Sequence, residues 1–364
     1  MNYLIKPASP SYKRRRRTRD IMKELLIGLY VLAVYAVGFQ LFVFGWQRAL
    51  RVLAIFVLAT LTSLATEVIW GRMHESDFQK IMEKQFPLIT PIIYAFTLPA
   101  TTPFYIVMLG AFLATFFGKL VYGGFGQNIF NPALVGRVII HLSFPTAMKP
   151  TVMIDGMTSA TPASALASAN WFYNHGYVFN VMDIVKGTYG GAIVETCVIP
   201  IIIVAICLSI RQIYDLRLSL SFLGTVAVIA LFMGLVMGVN PVTNMAIHLC
   251  LGGLIFGAFF MASDPVTTPT SPFGKILFGI GMGFMTMLIR TKANYPEGVL
   301  ISILIFNMLV PLFDGITMGR TDRNLIRRYI LLVAAVALAT IIICIIVSGF
   351  EPVAAFSMIG GVLS

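Results

Sequence analysis

One hydroxyl in the sequence has neighbours that suit phosphate chemistry. It belongs to Thr161, which lies six residues after the acid Asp155 and directly before Pro162. The residues between them include Thr158, Ser159 and Ala160. Thr followed by Pro is typical of a helix start, where the helix dipole and free backbone N–H groups favour a bound anion. Capping alone would explain Thr161, but it does not explain the acid and the short side chains before it.

A second group of candidates consists of acids in or beside apolar runs. They are Glu67, Glu195, Asp264 and Asp314. Asp264 precedes Pro265 and is followed by the hydroxyls of Thr267, Thr268 and Thr270. Oxygen ligands at a broken helix are what transporters offer to hard cations such as sodium. We therefore predict an ion path that involves Asp264, with Glu67 and Asp314 as further candidates; helix capping or an ion pair is the alternative for each.

A third group surrounds a glycine-rich string, Gly123 to Ala133, that opens an apolar run. Repeated glycines let a ligand or a second helix approach the backbone closely. The spacing is not a dinucleotide fingerprint, because no βαβ pattern surrounds it. The nearby polar residues Asn128, Asn131 and Arg137 are candidate cofactor-binding residues. Arg137 lies within a predicted span and must meet an anion, either a phosphate or a carboxylate.

The composition places these groups in a membrane. Of 364 residues, 58% are apolar and only 11% are charged, whereas soluble domains carry about 25% charged residues. The mean hydropathy is +0.88. These values exclude a soluble enzyme, a disordered chain and a nucleic-acid-binding module. At about 20 residues per crossing, the chain is predicted to be an all-α polytopic membrane protein with about ten to eleven transmembrane helices.

The apolar runs and the charges predict an order of segments. A basic tail (1–24) is followed by a first membrane repeat (25–145), a polar-leaning loop (146–190), a second membrane repeat (191–314), and a loop with a final span (315–364). The net charge of +11 is concentrated in the tail, between Lys13 and Lys23, which predicts a cytoplasmic N-terminus and an extracytoplasmic 146–190 loop. Contact between the tail and anionic lipid is compatible with this placement. Arg48, Arg51, Arg290 and Lys292 fall on the outer side, against the rule.

A weak internal repeat supports two halves. Thr102-Pro103-Phe104 with Gly110 recurs as Ser271-Pro272-Phe273 with Gly279, and Ile129-Phe130-Asn131 recurs as Ile305-Phe306-Asn307. About five spans separate the matched points, so the halves are predicted to be inverted. The run at 88–99 contains Pro91 and Pro99 and is predicted to be a half-helix or a re-entrant segment.

The remaining reactive side chains indicate no metal site. Cys197, Cys207, Cys250 and Cys344 lie in apolar runs without a Cys-x-x-Cys pair, and the four histidines have no ligand spacing. Aromatic residues of the long loop are predicted to anchor it at the membrane interface, and one of them could stack on a cofactor. They are Trp171, Phe172, Tyr173 and Tyr177.

The string from Asp155 to Thr161 resembles the flavinylation sequence, Asp-x-x-Ser/Thr-Gly-Ala-Thr, of a family of redox-pump membrane subunits. The family comprises the RnfD component of the Rnf complex and the NqrB component of the sodium-pumping NADH:quinone oxidoreductase. The glycine-rich string and the string from Met261 to Pro269 are also similar to segments of this family, so that the resemblance covers about residues 20 to 350. Ser159 stands where the family usually has glycine. The basic tail and the chain length favour the Rnf branch.

The resemblance implies a function and a set of cofactors. Thr161 would carry FMN through a phosphoester that a separate Mg-dependent flavin transferase makes from FAD, and Asp155, Thr158, Ser159 and Ala160 would be recognised by that transferase. A non-covalent riboflavin is implied by the quinone-reducing relative. The chain would relay electrons between ferredoxin and NAD, coupled to Na+ or H+ export, in a prokaryotic cytoplasmic membrane. Its partners would be subunits that carry flavin and iron–sulfur centres.

A function from a different class is also open at this point. Inverted halves with broken helices equally describe a channel or transporter for a small solute, without a redox role. Composition does not separate the two functions, whereas the flavinylation string does.

Overall fold

The computed structural model describes residues 18–74, 85–148, 152–154, 157–159, 171, 191–193, 198–251, 253–293, 298–317 and 325–349. Helices make up most of this part of the chain. In chain order they are α1 (Thr18–Phe44), α2 (Trp46–Met73), α3 (Ile89–Phe96), α4 (Phe104–Thr115), α5 (Pro132–Ser143), α6 (Val198–Ile210), α7 (Leu216–Val236), α8 (Pro241–Cys250), α9 (Leu254–Phe256), α10 (Pro272–Lys292), α11 (Gly298–Thr317) and α12 (Leu325–Ser348). Five-residue π-helical turns, Phe116–Leu120 and Gly257–Met261, extend α4 and α9. A short antiparallel hairpin pairs β1 (Val152–Ile154) with β2 (Met157–Ser159).

The lengths of these helices confirm an all-α polytopic membrane protein. Within the described residues, six helices are long and apolar enough to cross a membrane, namely α1, α2, α7, α10, α11 and α12. Helix α8 and the α9 segment are bent by 63° at a short break and form either a broken seventh span or a re-entrant loop. Three shorter apolar helices, α4 with its π-turn, α5 and α6, and the half-helix α3 match the other predicted runs. The described residues therefore contain a helix in each predicted apolar run, but only six or seven of these have the length of a full crossing, fewer than the ten to eleven transmembrane helices predicted.

Several helix starts follow directly from local sequence. Asn131 precedes Pro132 of α5, Asn240 precedes Pro241 of α8, and Ser271 precedes the first residue of α10. Each of these N-cap side chains accepts a hydrogen bond from a backbone N–H of the first turn. Proline at the first helical position loses no hydrogen bond, so that an Asn or Ser followed by Pro sets where the helix begins.

The two halves of the bundle run in opposite directions. The end where α1 begins, called here the N-terminal end, also holds Arg211, which pairs with Glu24 at 3.2 Å, and the neighbouring Asp215, whose partner at 3.4 Å is Lys275 of α10. Helix α10 therefore starts at the N-terminal end. Helix α4 starts at the opposite end, because Arg51 in the second turn of α2 donates to the carbonyl of Thr101 at 2.9 Å. The matched helices α4 and α10 are thus antiparallel, as an inverted repeat requires.

The matched glycines of the repeat both lie where another segment packs closely against their helix. A Cβ at Gly110 of α4 would overlap the hydroxyl of Tyr94, and a Cβ at Gly279 of α10 would overlap Ser221 and the carbonyl of Leu218. Each glycine therefore lets a neighbouring segment approach its helix closely. Small residues are the usual means of packing helices in lipid, where the hydrophobic effect does not drive them together.

The helix breaks are closed by hydrogen bonds from side chains and neighbouring backbone. Between α3 and α4, Thr102 donates to the carbonyl of Pro99, and Ile193 donates its N–H to Leu98. At the break between α8 and α9, the guanidinium of Arg290 donates to the carbonyls of His248 (2.6 Å) and Leu251 (2.8 Å). Backbone groups at membrane depth need such partners. Arg51 and Arg290, which fell on the outer side against the positive-inside rule, are bound to carbonyls at these breaks.

Candidate cofactor and ion sites

A cavity opens at the N-terminal end of the bundle, where the two halves meet. Its volume is about 740 Å³ including its mouth. It is bounded by the start of α1, the glycine-rich string before α5, the loop between α6 and α7, and the loop between α9 and α10. Most of its wall is apolar, and the polar groups on it include Asn128, Asn131, Tyr214, Ser263 and Asp264.

The two asparagines of the glycine-rich string both line this cavity. Asn128 donates from its amide to the carbonyl of Phe130 at 3.0 Å. Asn131 caps α5 by accepting from the N–H of Ala133 at 3.1 Å and donates to the carbonyl of Met261 at 3.1 Å. Both atoms of the Asn131 amide are therefore engaged in holding backbone together.

Arg137, the third candidate in this part of the chain, lies elsewhere. It is buried in α5, its Nη1 is 2.9 Å from the sulfur of Met148, and it does not line the cavity. Tyr214, which sequence reasoning did not single out, does line it. Its hydroxyl donates to the carbonyl of Ala205 at 2.6 Å, and burial raises its pKa. The phenol therefore stays protonated at physiological pH.

The acids predicted for the ion path have three different environments. Asp264 lines the cavity, and its Oδ1 accepts from the N–H of Val266 at 3.3 Å. Asp314, near the end of α11, accepts from both the N–H (2.9 Å) and the hydroxyl (3.0 Å) of Thr270. Asp314 therefore fastens the end of the loop that carries Asp264. Thr267, in the same loop, is buried, and its hydroxyl has no hydrogen-bond partner among the described residues.

Glu67 is the third acid, and it forms a buried ion pair. The ammonium of Lys119 donates to its Oε1 at 2.6 Å and also to the carbonyl of Gln85. Both side chains are almost completely removed from the surface. The second carboxylate oxygen of Glu67 has no hydrogen-bond partner within the described part of the chain. The structure therefore shows the ion pair that was the alternative role for Glu67, and leaves the Oε2 atom of the carboxylate without a partner among the described residues.

A second cavity, of about 820 Å³ including its space open to solvent, is lined by Glu67, Trp70, His74, Gln85, Gly123 and Gly124 among others, whereas Lys119 lines the first cavity. Sequence reasoning did not identify Lys119, although a lysine inside an apolar run should have a partner. Lys119 could therefore have been identified as needing a partner, but its separation of 52 positions from Glu67 follows no spacing rule that would name that partner.

The predicted flavin attachment string is only partly described. Thr158 and Ser159 lie on β2, where Ser159 is opposite Val152 and Thr158 is opposite Met153. Asp155, Ala160 and Thr161 lie outside the described residues, as do Glu195, His175 and Cys197. The role of Thr161 therefore stays a prediction.

Trp171, ten residues beyond Thr161, is packed inside the protein. Its indole N–H donates to the carbonyl of Arg290 at 2.9 Å, and its ring lies 4.6 Å from that of His248. The prediction that Trp171 anchors the loop at the membrane interface is wrong, because the ring fills a buried site next to the α8–α9 break. An indole with a hydrogen-bond acceptor and an aromatic neighbour can be buried at little cost.

The chain is similar to named proteins over most of its length. The family described as NQR2, RnfD, RnfE matches residues 6–322. The D component of the Na(+)-translocating ferredoxin:NAD(+) oxidoreductase complex of Acetobacterium woodii is 32% identical over 324 residues, which cover 86% of this chain and 93% of the relative. The D component of the proton-translocating complex of Clostridium ljungdahlii is also 32% identical over 324 residues, covering 85% and 93%. The D component of the ion-translocating oxidoreductase complex of Escherichia coli (strain K12 / DH10B) is 28% identical over 348 residues, covering 86% and 96%.

The chain belongs to the NQR2, RnfD, RnfE family. The membership of this family that the sequence strings predicted is thereby confirmed. Within the family, the two relatives at 32% identity are named for different ions, sodium and the proton. Similarity to family members therefore does not select the ion.

The buried pair gives a prediction about folding. Replacing Lys119 with Met leaves Glu67 buried without its cation, which costs about 3–5 kcal/mol of stability. The double variant Glu67→Gln/Lys119→Met removes both charges and should recover most of that loss. Thermal unfolding in detergent, followed by size-exclusion chromatography, measures both effects.

A control for this prediction is the pair formed by the exposed Arg211 and the partly buried Glu24 at the same end of the bundle. Arg211→Ala should change stability by no more than about 1 kcal/mol, since exposed pairs contribute little. A Lys119→Met protein that unfolds no earlier than Arg211→Ala would contradict the role of the buried pair.

Proposed function

We propose that this chain is the membrane subunit of an ion-translocating redox complex of the Rnf type, which relays electrons between ferredoxin and NAD coupled to Na+ or H+ export. The observation that carries the proposal is the family match over residues 6–322, a range that includes the string from Asp155 to Thr161. The names of the relatives, which are D components of ferredoxin:NAD oxidoreductase complexes, support the Rnf branch.

The covalent cofactor is FMN on Thr161. A phosphoester to a threonine hydroxyl at a helix start keeps the flavin at one place, and the free N–H groups there favour the phosphate. Asp155, Thr158, Ser159 and Ala160 are the residues that the flavin transferase recognises. The flavin supplies the redox chemistry, whereas the protein supplies position and electrostatics. With the N-terminus in the cytoplasm, this loop is extracytoplasmic.

We assign a second, non-covalent flavin such as riboflavin to the cavity at the N-terminal end. Ligand pockets are mostly apolar, with a few polar groups that orient the ligand. The wall of the cavity has this character, and Asn128, Tyr214 and Asp264 are among its polar groups. Because the Asn131 amide already bonds Met261 and Ala133, we assign it to shaping the cavity.

The ion path is proposed to involve Asp264, Glu67 and Asp314. Asp264 faces the first cavity, and Glu67 presents a free carboxylate oxygen beside the second. Acids inside a membrane are costly and usually mark ion or proton pathways. Asp314 contributes indirectly, since its carboxylate holds Thr270.

The chain requires partners to complete the reaction. It has no ferredoxin-type cysteine motif and no dinucleotide-binding fingerprint in its sequence. Electrons must therefore enter and leave through other membrane and peripheral subunits that carry flavin and iron–sulfur centres. The same broken, inverted helices would serve a plain solute channel or transporter, which is the second candidate function.

The linkage is tested by changing hydroxyls within the string. In cells that contain the flavin transferase, the denatured wild-type band should fluoresce as a flavoprotein. Thr161→Ala should abolish this fluorescence, and Thr158→Ala, which removes a neighbouring hydroxyl, should retain part of it. An unlabelled wild-type band would favour the transporter, and a label that survives Thr161→Ala would place the bond elsewhere.

The ion path is tested at Asp264. Asp264→Asn keeps the size and the hydrogen bond to Val266 but removes the charge, so that ion transport should fall while the covalent flavin is retained. The measurement is ion uptake by proteoliposomes during electron transfer from reduced ferredoxin to NAD. Asp215→Asn is the control, because Asn also caps a helix and Asp215, the N-cap of α7, is not among the residues that line the cavity. Unchanged coupling in Asp264→Asn would contradict the assignment.

A further inference from the structure

Two asparagines that occupy matched positions in the internal repeat touch each other. Asn131 and Asn307 each end an Ile-Phe-Asn string, 176 residues apart. Both side chains are buried. With the Asn307 amide oriented to satisfy its neighbours, its oxygen accepts from the backbone N–H of Asn131 at 3.1 Å. Residues that lie on the pseudo-two-fold axis of an inverted repeat meet their own counterparts, and this pair does so.

Both asparagines also donate to the same loop. Asn131 donates to the carbonyl of Met261 at 3.1 Å, and Asn307 donates to the carbonyl of Thr267 at 3.3 Å. In the sequence, Asp264 lies midway between Met261 and Thr267. The pair therefore holds the loop on both sides of the acid that lines the cavity. Since Asn307 is about half-way along α11, the loop is held at membrane depth, where few other groups can bind a carbonyl.

The corresponding loop in the first half is held by different groups. The two loops share a pattern of hydroxyls and prolines: Thr97-Leu98-Pro99-Ala100-Thr101-Thr102-Pro103 and Ser263-Asp264-Pro265-Val266-Thr267-Thr268-Pro269. This pattern pairs Pro103 with Pro269, three residues before the Pro272 that it matches at the helix start, and on it Leu98 stands where the second loop has Asp264. The carbonyl of Thr101, which has the place of Thr267 in this pattern, accepts from Arg51 instead. Asn131 and Asn307 thus hold only the loop of the second half, which is the loop that contains Asp264.

We propose that Asn131 and Asn307 are positioning residues for ion coupling. They hold the backbone of the loop so that the Asp264 carboxylate keeps the position that ion transport requires. This proposal rests on the proposed function, in particular on the role of Asp264. Neither asparagine touches the ion; each acts through the backbone of the loop. Loss of either donor should lower the number of ions moved per electron, while the covalent flavin on Thr161 is retained.

The test compares two buried asparagines in the second half of the whole complex. Asn307→Leu removes the donor to Thr267. Asn244→Leu is the matched control, because Asn244 is equally buried and donates to the carbonyl of Ala230 at 2.7 Å, away from the Asp264 loop. A third variant, Asn131→Asp, keeps the oxygen that caps α5 but loses the donor to Met261.

The readout is the ratio of ions transported to electrons transferred in proteoliposomes, with the covalent flavin content measured in parallel. Asn307→Leu and Asn131→Asp should lower the ratio at least about threefold, in line with the loss of one buried hydrogen bond, and Asn244→Leu should not. An equal fall in all three variants, or a wild-type ratio in Asn307→Leu, would overturn the proposal. If Asp264→Asn also keeps the wild-type ratio, the proposed function of Asp264 fails; if only the asparagine variants keep it, this inference alone fails.

Discussion

Broken backbone inside a membrane must find partners for its polar groups, and this constraint shapes the whole protein. Two arginines, Arg51 and Arg290, bind carbonyls at the α3–α4 and α8–α9 breaks. Two asparagines, Asn131 and Asn307, bind carbonyls of the loop between α9 and α10. Without the buried donors Arg290, Asn131 and Asn307, carbonyls in the interior would be left unsatisfied, which is costly in a medium that offers no water. The breaks in turn create the polar and cavity-lined region at the repeat interface.

The same constraint explains the surroundings of the charged side chains inside the bundle. Glu67 and Lys119 neutralise each other in a buried site, and Asp314 is tied to Thr270. Asp264 differs, because its described hydrogen bond is to a backbone N–H of its own loop and its side chain lines a cavity. An acid in that position is available to a ligand or an ion. The predicted flavin site is in the 146–190 loop, and Trp171 of that loop is packed against the α8–α9 break.

Those features that depend on local composition could be predicted from the sequence. The apolar runs, the Asn-Pro and Ser-Pro helix starts and the half-helix at 89–96 follow from residue types a few positions apart. The repeat strings predicted that Asn131 and Asn307 are equivalent, but not that they touch. The partners of Lys119, Arg51 and Arg290 could not be predicted from the sequence, because each contact joins distant segments and no spacing rule relates them. Trp171 was misplaced because an amphipathic ring suits both the membrane interface and a buried site with one acceptor.

Electron transfer and ion movement are assigned to different places in this chain, and the assignment of a redox role depends on the bond at Thr161. The most direct measurement is the mass of the proteolytic fragment that contains Asp155 to Thr161, from protein matured in its native host. We expect this fragment to be heavier by one esterified FMN, with fragmentation that places the addition on Thr161. A fragment of unmodified mass would contradict this assignment and would leave a broken-helix transporter as the better description.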